Sequence, residues 1–320
     1  MTSVRSFDRL VSLGNVLVDI VVAVGELPER GSDVIAKRAG LAVGGGFNLM
    51  ASAARQGLPV FYGGLVGSGP FGDIVRGALN AEGIEFLDRE DAVDLGDTGF
   101  DVALIEADGE RTFVTASGAE ACWTRAHADR LMIGARDALA VSGYSLLQAA
   151  NQEAVLRVLH AAPAEAKLFY DPGPLGHKLP SEVLSQLYRR VDWWSCNESE
   201  AYLSTGAGEP FGAAEELLGR LEGGSVVIRL GAEGCVLALP GKPPRSVPVI
   251  PVEPIDSNGA GDAHLGAFIA ALARGLEPFE AASWANHAAA ISVRRVGPAV
   301  SPDASATQTF LDSGVLPEVD

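Results

Sequence analysis

The chain has 320 residues, 48% of them apolar, enough to build one large core or two smaller ones. Its 24 lysines and arginines stand against 41 acids, and a formal net charge of −17 lacks the basic footprint of a nucleic-acid-binding protein. The three cysteines, Cys122, Cys196 and Cys235, are far apart and form no C-x-x-C pair, which predicts reduced thiols in a cytoplasmic protein, and the most apolar early run, 16–24, is too short and too interrupted by Asp19 for a membrane span or a signal peptide.

Residues 9–13 read as a first buried strand ending at Gly14-Asn15. Asp19 follows among Val16, Leu17, Val18, Ile20, Val21 and Val22, where an unpaired acid is costly, so it faces a polar cleft or an ion-pair partner. Residues 20–43 alternate without a helical period and predict short strands outside the main sheet. Gly44-Gly45-Gly46-Phe47-Asn48 then opens a helix through Ala51, Ala54 and Arg55 to Gly57. These glycines either punctuate a loop or let a ligand approach the backbone, and Asn48 can bond a hydroxyl through either end of its amide.

The segment 59–66 is the next strand, and Gly67-Ser68-Gly69-Pro70-Phe71-Gly72 is a literal G-x-G-x-x-G before a helix through Leu79. With acids at Asp88, Glu90 and Asp91 it raises the alternative of an NAD-dependent oxidoreductase. Against that stand Pro70 in the turn, the late position of the unit and the lack of a clean strand leading to the acids. Residues 98–107 and 111–115 alternate around Asp108-Gly109 as a hairpin. With the earlier strands it predicts a β lid over about 16–43 and 97–116, which would exclude water from a reaction and, through its open edges, pair two copies as a homodimer. Arg111 is either a solvated strand residue or a reach toward an anionic group.

From Asp137 the rhythm of strand and helix is regular, with strands at 138–141, 167–170 and 192–195 and helices from about Asn151 and over 181–190. Asn197-Glu198-Ser199-Glu200 places Asn197 at a strand end and Glu200 one turn into a helix, where Glu200 is a helix-start acid or a ligand. A further strand, 226–230, ends at Gly231-Ala232-Glu233-Gly234, and a helix of small residues, 284–293, carries Asn286 and His287. His287 reads as a packed histidine.

The rest of the chain is organised around 256–268, D-S-N-G-A-G-D-A-H-L-G-A-F. Gly259 and Gly261 lack the Cβ that would block an anion, so the N–H groups from Asn258 to Asp262 can turn inward as a nest on the N-terminus of a helix that starts at Ala260. Asp262 points into the same space. A carboxylate beside an anion hole makes chemical sense when a hydroxyl lies between them, with Asp262 accepting its proton while Gly259, Ala260 and Gly261 hold the transferring phosphoryl oxygens. The helix dipole is expected to lower the pKa of Asp262.

This stretch resembles the D-T-x-G-A-G-D motif of the ribokinase-like (PfkB) carbohydrate kinases, with Ser257 the one conservative change. The likeness extends in order through the chain: Gly14-Asn15 with Asp19, Gly44-Gly45 with Asn48, Asn197 with Glu200, and Gly231 with Gly234. It implies a three-layer α/β/α fold with a mostly parallel central sheet, formed as a single domain over 1–320 with the small lid. It also implies an ATP- and Mg²⁺-dependent kinase that phosphorylates a hydroxymethyl group of a sugar or sugar-like substrate. Asn15, Asp19, Gly45 and Asn48 would then hold the acceptor, Asn197 and Glu200 would order Mg²⁺, and Gly231, Gly234, Asn258, Gly259, Gly261 and Asn286 would line the nucleotide. Asp256 with the loop carrying Ser292, Arg295, Gly297 and Ser301 would bind a monovalent cation such as K⁺. Two departures are plain: Leu17 stands where ribokinases carry an Asn, which argues against ribose itself, and Gly69 replaces an Asp. A nucleoside kinase of the same fold and a non-catalytic sugar sensor are the other readings.

Overall fold

The computed structural model describes residues 6–87, 95–107 and 110–317. Its chain order is β1 (Arg9–Ser12), β2 (Val16–Ala23), β3 (Arg38–Gly45), α1 (Gly46–Arg55), β4 (Val60–Tyr62), α2 (Pro70–Ala81), β5 (Glu85–Phe86), β6 (Phe100–Ile105), β7 (Arg111–Ala116), α3 (Arg125–Arg130) and β8 (Asp137–Ser142). It continues with α4 (Ala149–Ala161), β9 (Lys167–Asp171), α5 (Ser181–Arg190), β10 (Trp193–Asn197), α6 (Glu198–Thr205), α7 (Pro210–Arg220), β11 (Ser225–Arg229), β12 (Cys235–Ala238) and β13 (Arg245–Val247). Three helices close the chain: α8 (Ala260–Ala273), α9 (Pro278–Ser292) and α10 (Ala304–Ser313).

Nine strands form the main sheet in the order β13-β12-β11-β10-β9-β8-β1-β4-β5, parallel except where β12 and β13 turn back antiparallel. The parallel strands read as nearly unbroken apolar runs, LVS in β1, DALAV in β8 and SVVI in β11, because helices cover both faces. Running parallel, β9, β10 and β11 bring their last residues, Asp171, Asn197 and Arg229, to one edge of the sheet. Such an edge is where open α/β sheets hold ligands.

Helix α8 forms the bridge from sheet to site. It is buried along most of its length, and it packs closely on α1 because both helices are small where they cross. A Cβ on Gly266 would fall 2.4 Å from the carbonyl oxygen of Leu49, and Ser52 Oγ donates to Ala263 O at 2.8 Å. This contact sets the start of α8 beside the start of α1.

The predicted lid is a separate four-stranded sheet, β3-β2-β6-β7, in which β2 pairs β6 in parallel and β3 and β7 flank them antiparallel. The expected turn at Asp108-Gly109 lies outside the described residues. The strand expected over 59–66 is only β4, since Gly63 and Gly64 follow it. The small-residue helix expected from Trp284 begins earlier, at Pro278, where Glu277 and Glu280 form a reciprocal capping box.

The G-x-G-x-x-G at 67–72 does precede a helix, α2, but its anion position is taken. Asp97 accepts from the amides of Phe71 at 3.0 Å and Gly72 at 2.8 Å, and a Cβ on Gly69 would fall 2.4 Å from its carboxylate. The glycines serve close packing: Gly67 lies against the 97–98 backbone and Gly72 against Gly67 O. Asp88, Glu90 and Asp91 lie outside the described residues. Asp97→Ala should lower stability by about 1–2 kcal/mol, as loss of a helix N-cap does, seen as a lower denaturation midpoint at unchanged slope.

Candidate active site

The backbone at the start of α8 is shaped by one glycine. Gly259 is left-handed at φ 73°, and a Cβ there would fall 2.2 Å from Pro298 O, so no other residue fits the turn. Among the described residues, the amides of Gly259, Gly261 and Asp262 have no acceptor in the chain, and that of Ala260 makes only a long 3.3 Å bond to Ser257 O. Residues 259–262 are all partly accessible. The expected nest thus keeps most of its donors, with one correction: Asn258 N donates to Asp256 Oδ1 at 2.9 Å and is not available to a ligand.

Asp262 projects from the first turn of α8, and its Oδ2 accepts from Asn48 Nδ2 at 3.3 Å across the α1–α8 contact. Its pKa is pushed up to about 7, first by burial and then by Asp171, while Asn48 and Arg229 pull the other way. The expectation of a lowered pKa is therefore overturned: a helix dipole contributes roughly 0.3–1 kcal/mol, less than the cost of desolvating a carboxylate. Asn48 Oδ1 is buried with no partner, an acceptor placed for a donor from outside the chain.

The other acceptor candidates converge from β2, β3 and the 13–15 turn. Gly45 adopts φ 62°, and a Cβ there would meet Asn15 O at 2.5 Å, while Gly46 N donates to the same oxygen at 2.7 Å. Asn15 Oδ1 accepts from Asn151 Nδ2 at 3.3 Å. The carboxylate of Asp19 sits over Gly44, where a Cβ would fall 2.4 Å from its Oδ2. Asp19 also lies in register with Asp101 of β6, so two acids share one face of the lid. Burial, then the Asp101 charge, raise the Asp19 pKa to about 7; burial raises Asp101 as well, and its Oδ1 has no partner. Gly44→Ala should displace Asp19 and raise KM for the acceptor about tenfold with KM for the nucleotide unchanged, about the cost of one lost hydrogen bond to a charged group, measured by steady-state kinetics with each substrate varied.

Asn197 and Glu200 form a reciprocal capping box at the start of α6: Asn197 Oδ1 accepts from Glu200 N and Glu200 Oε2 from Asn197 N, each at 2.8 Å. Asn197 Oδ1 and Glu200 Oε2 are each oriented by the other residue's backbone amide. Arg229, missed in the sequence, fills the centre of this edge. Its guanidinium pairs with Asp171 Oδ2 at 3.1 Å and Glu200 Oε2 at 3.5 Å, donates to Ser195 Oγ at 2.7 Å, and lies under Gly261, where a Cβ would come within 3.3 Å of Nε. Burial and Asp171 raise the Glu200 pKa, against the pull of Arg229. One guanidinium serves the carboxylates of Asp171 and Glu200 and lowers the pKa of Asp262, and among the described residues no group of three or more acids, histidines or cysteines is arranged to hold a metal ion by itself, so Mg²⁺ here would take most of its oxygens from phosphate and water.

Comparison with known proteins follows the same line. Residues 8–304 match the model of the pfkB family carbohydrate kinases. The chain belongs to that family. Among relatives, it is 29% identical over 298 residues to an uncharacterized sugar kinase, YegV, of Escherichia coli (strain K12), covering 91% of this chain and 90% of the relative. It is 30% identical over 320 residues to the ribokinase of Haemophilus influenzae (strain ATCC 51907 / DSM 11121 / KW20 / Rd), covering 95% and 98%. Among solved structures, a probable sugar kinase from Rhizobium etli CFN 42 superposes with TM-score 0.81 at 21% identity over 96% of this chain and 99% of that one. The Arabidopsis thaliana ribokinase complexed with ribose and ATP gives 0.76 at 22% over 95% and 99%, and adenosine kinase from Sinorhizobium meliloti gives 0.76 at 22% over 92% and 95%. These structures establish the ribokinase fold, and with the family match the chain is a carbohydrate kinase.

In this pfkB-family kinase the remaining sequence candidates divide. Gly231, at φ 57°, has open space where a side chain would lie, whereas Gly234, at φ 87°, is a packing residue whose Cβ would fall 2.2 Å from Val247 O. Asn286 is corrected: it is buried, its Nδ2 donates to Val247 O at 2.8 Å, and its Oδ1 faces His264 Nε2 at 3.0 Å, so its amide pins β13 and is closed to a nucleotide. His264 stays neutral, its pKa lowered by burial to about 3, and His287 packs as expected, with Nδ1 on Ser283 O at 2.7 Å. In the 292–301 loop, Ser292 O accepts from Arg295 N at 3.1 Å, and Gly297 turns its amide, not its carbonyl, toward Asp256 Oδ2 at 3.0 Å. Asp101 could have been found by the logic that found Asp19, an acid in an apolar alternation; Arg229 and Asp171 sit at strand ends and carry no such local signal.

Proposed function

We propose that this kinase transfers the terminal phosphoryl group of ATP to a hydroxymethyl group of a sugar or sugar-like acceptor. The observation that carries the reading is the meeting of Asp262, poised near pH 7 and bonded to Asn48, with the unpaired amides of Gly259 and Gly261 on the same turn. A base of that pKa accepts a proton late in transfer, and preorganised amides stabilise charge on the transferring oxygens. Asn15, Asp19, Gly45 and Asn48 hold the acceptor. Asp19 and Asp101 present carboxyl groups to it, partners suited to hydroxyls, which favours an uncharged polyol over a sugar phosphate or sugar acid. Glu200 would hold Mg²⁺, and the ion would supply charge neutralisation to the phosphates. A related Escherichia coli structure of the ribokinase II type holds ATP and Mg²⁺, which supports this assignment.

Leu41 and Val114, in register through Ile20 and Val102 on one face of the lid, leave apolar surface exposed, which supports pairing of two lids in a homodimer, testable by sedimentation. The unpaired Cys122, Cys196 and Cys235 suit a reducing cytoplasm. The deciding experiment is a screen of pentoses, hexoses, ketoses and nucleosides for acceptor-dependent ADP release, together with melting in ATP and in NAD. ADP release with at least one sugar, and a melting rise with ATP alone, is expected. Release with nucleosides alone would move the acceptor class, and no release with any acceptor would favour a sensor.

A further inference from the structure

A monovalent cation at Asp256 is implied by the family resemblance, yet the residues present do not fit one. Such an ion needs a carboxylate with its charge unpaired and several carbonyl oxygens turned inward. Here Asp256 Oδ1 accepts from Arg111 Nη2 at 2.5 Å and from Asn258 N at 2.9 Å, and its Oδ2 accepts from Gly297 N at 3.0 Å. Two carbonyls of the loop, those of Ala299 and Ser301, accept from Arg55 Nη1 at 2.9 and 3.0 Å. Ser301 Oγ is buried without a partner, but a single neutral hydroxyl is too few ligands for an ion.

We propose that Arg111 is a positioning residue that brings the required positive charge from the lid, so that this kinase needs no monovalent cation and its lid is latched to the loop that forms the anion hole. Arg111 begins β7 in the lid, and Asp256 begins the turn that runs through Gly259 into α8. The two are 145 residues apart in sequence, and their side chains are 22% and 14% exposed, so the pair is well sheltered from solvent screening. Asp256 in turn fixes both sides of the turn: it caps Asn258 N directly, and through Gly297 N it holds the segment whose Pro298 carbonyl abuts Gly259. A lid that lifts removes the guanidinium and leaves a partly buried carboxylate beside the amides meant for phosphate. A lid that closes restores the charge balance and the shape of the turn together.

The inference rests on the phosphotransferase reading only for its kinetic consequence, so the primary test is thermal. The full chain is melted in chloride salts of K⁺, Na⁺, Li⁺ and choline at one ionic strength, as wild type and as Arg111→Ala. Arg111→Gln, which keeps much of the length without the charge, is the second variant should the first fail to fold. Wild type should melt within about 1 °C in all four salts, and the variant should melt about 2 °C or more lower in every one of them, because the Ala299 and Ser301 carbonyls stay on Arg55 and no cation site opens. Turnover should follow, about tenfold lower for the variant in each salt, the size of effect typical of a modest coupling energy. A bridge that merely stitches two surfaces together would lower the melting temperature and leave turnover unchanged. A K⁺-selective rise in wild type, or a variant that melts and turns over as wild type does, overturns the proposal. Neither thermal outcome depends on which acceptor is phosphorylated.

Discussion

Asp262→Asn should lower turnover by about three orders of magnitude, within the span that loss of a positioned general base produces, while leaving ATP binding in place. The amide is nearly the size of the carboxyl, so the α1–α8 contact and the turn at Gly259 persist, but it cannot take up the proton of the acceptor hydroxyl. Calorimetry with a non-hydrolysable ATP analogue separates the two effects, and retained turnover alongside intact binding would remove Asp262 from the reaction. The pH profile adds an independent check. Because the group is raised to about 7, kcat/KM of wild type should fall as pH drops below about 7. Stability carries the opposite sign. The folded pKa lies above the unfolded value of 3.8, so folding takes up a proton between about pH 4 and 7, and the stabilisation present at low pH is lost as pH rises through about 7. Asp262→Asn should therefore gain stability relative to wild type above neutrality, measured by denaturant midpoints at pH 5 and pH 8.

What the sequence made legible, and what it hid, divide by the range of the interactions. The turn at 256–262 is written locally: two glycines, an acid and a small-residue helix can be read without knowing any neighbour, and the same holds for Gly44 to Asn48 and for the strand-helix rhythm that gives the sheet. The pKa of Asp262 is not local. It depends on α1 crossing α8 at Gly266 and on Asp171 arriving at the end of β9, so an argument from the helix dipole alone has the wrong sign. The G-x-G-x-x-G shows the converse failure. Its pattern is legible, but the carboxylate that fills its helix start comes from Asp97, outside the pattern. The family's Asp at the place of Gly69 is absent, and the space a side chain would take there is occupied by Asp97. Likewise the pairing of Arg111 with Asp256 and of Arg229 with Asp171 joins residues that only the sheet topology brings together.

Arg229→Ala is expected to destabilise this kinase strongly. The side chain is 12% exposed and is the cation that the sheet edge places between Asp171 and Glu200, with Asp262 close enough to feel its charge. Taking one partner out of a buried ionic cluster leaves desolvated charge uncompensated, at a cost of about 3–5 kcal/mol. The same removal changes the chemistry in a foreseeable direction. Arg229 holds down the pKa values of Glu200 and Asp262, so in its absence both rise further and a larger fraction of Asp262 is protonated at pH 7. The acid limb of kcat/KM should accordingly move to higher pH in any Arg229→Ala protein that remains folded. Arg229→Lys separates charge from shape: an ammonium keeps a positive charge near the acids but cannot bridge Asp171 and Glu200 while also donating to Ser195 as the guanidinium fork does. It should recover most of the pH shift and only part of the stability. If Arg229→Ala unfolds at the same denaturant concentration as wild type, with an unmoved acid limb, the three carboxylates do not depend on this arginine, and the charge balance assigned to the edge of the sheet is wrong.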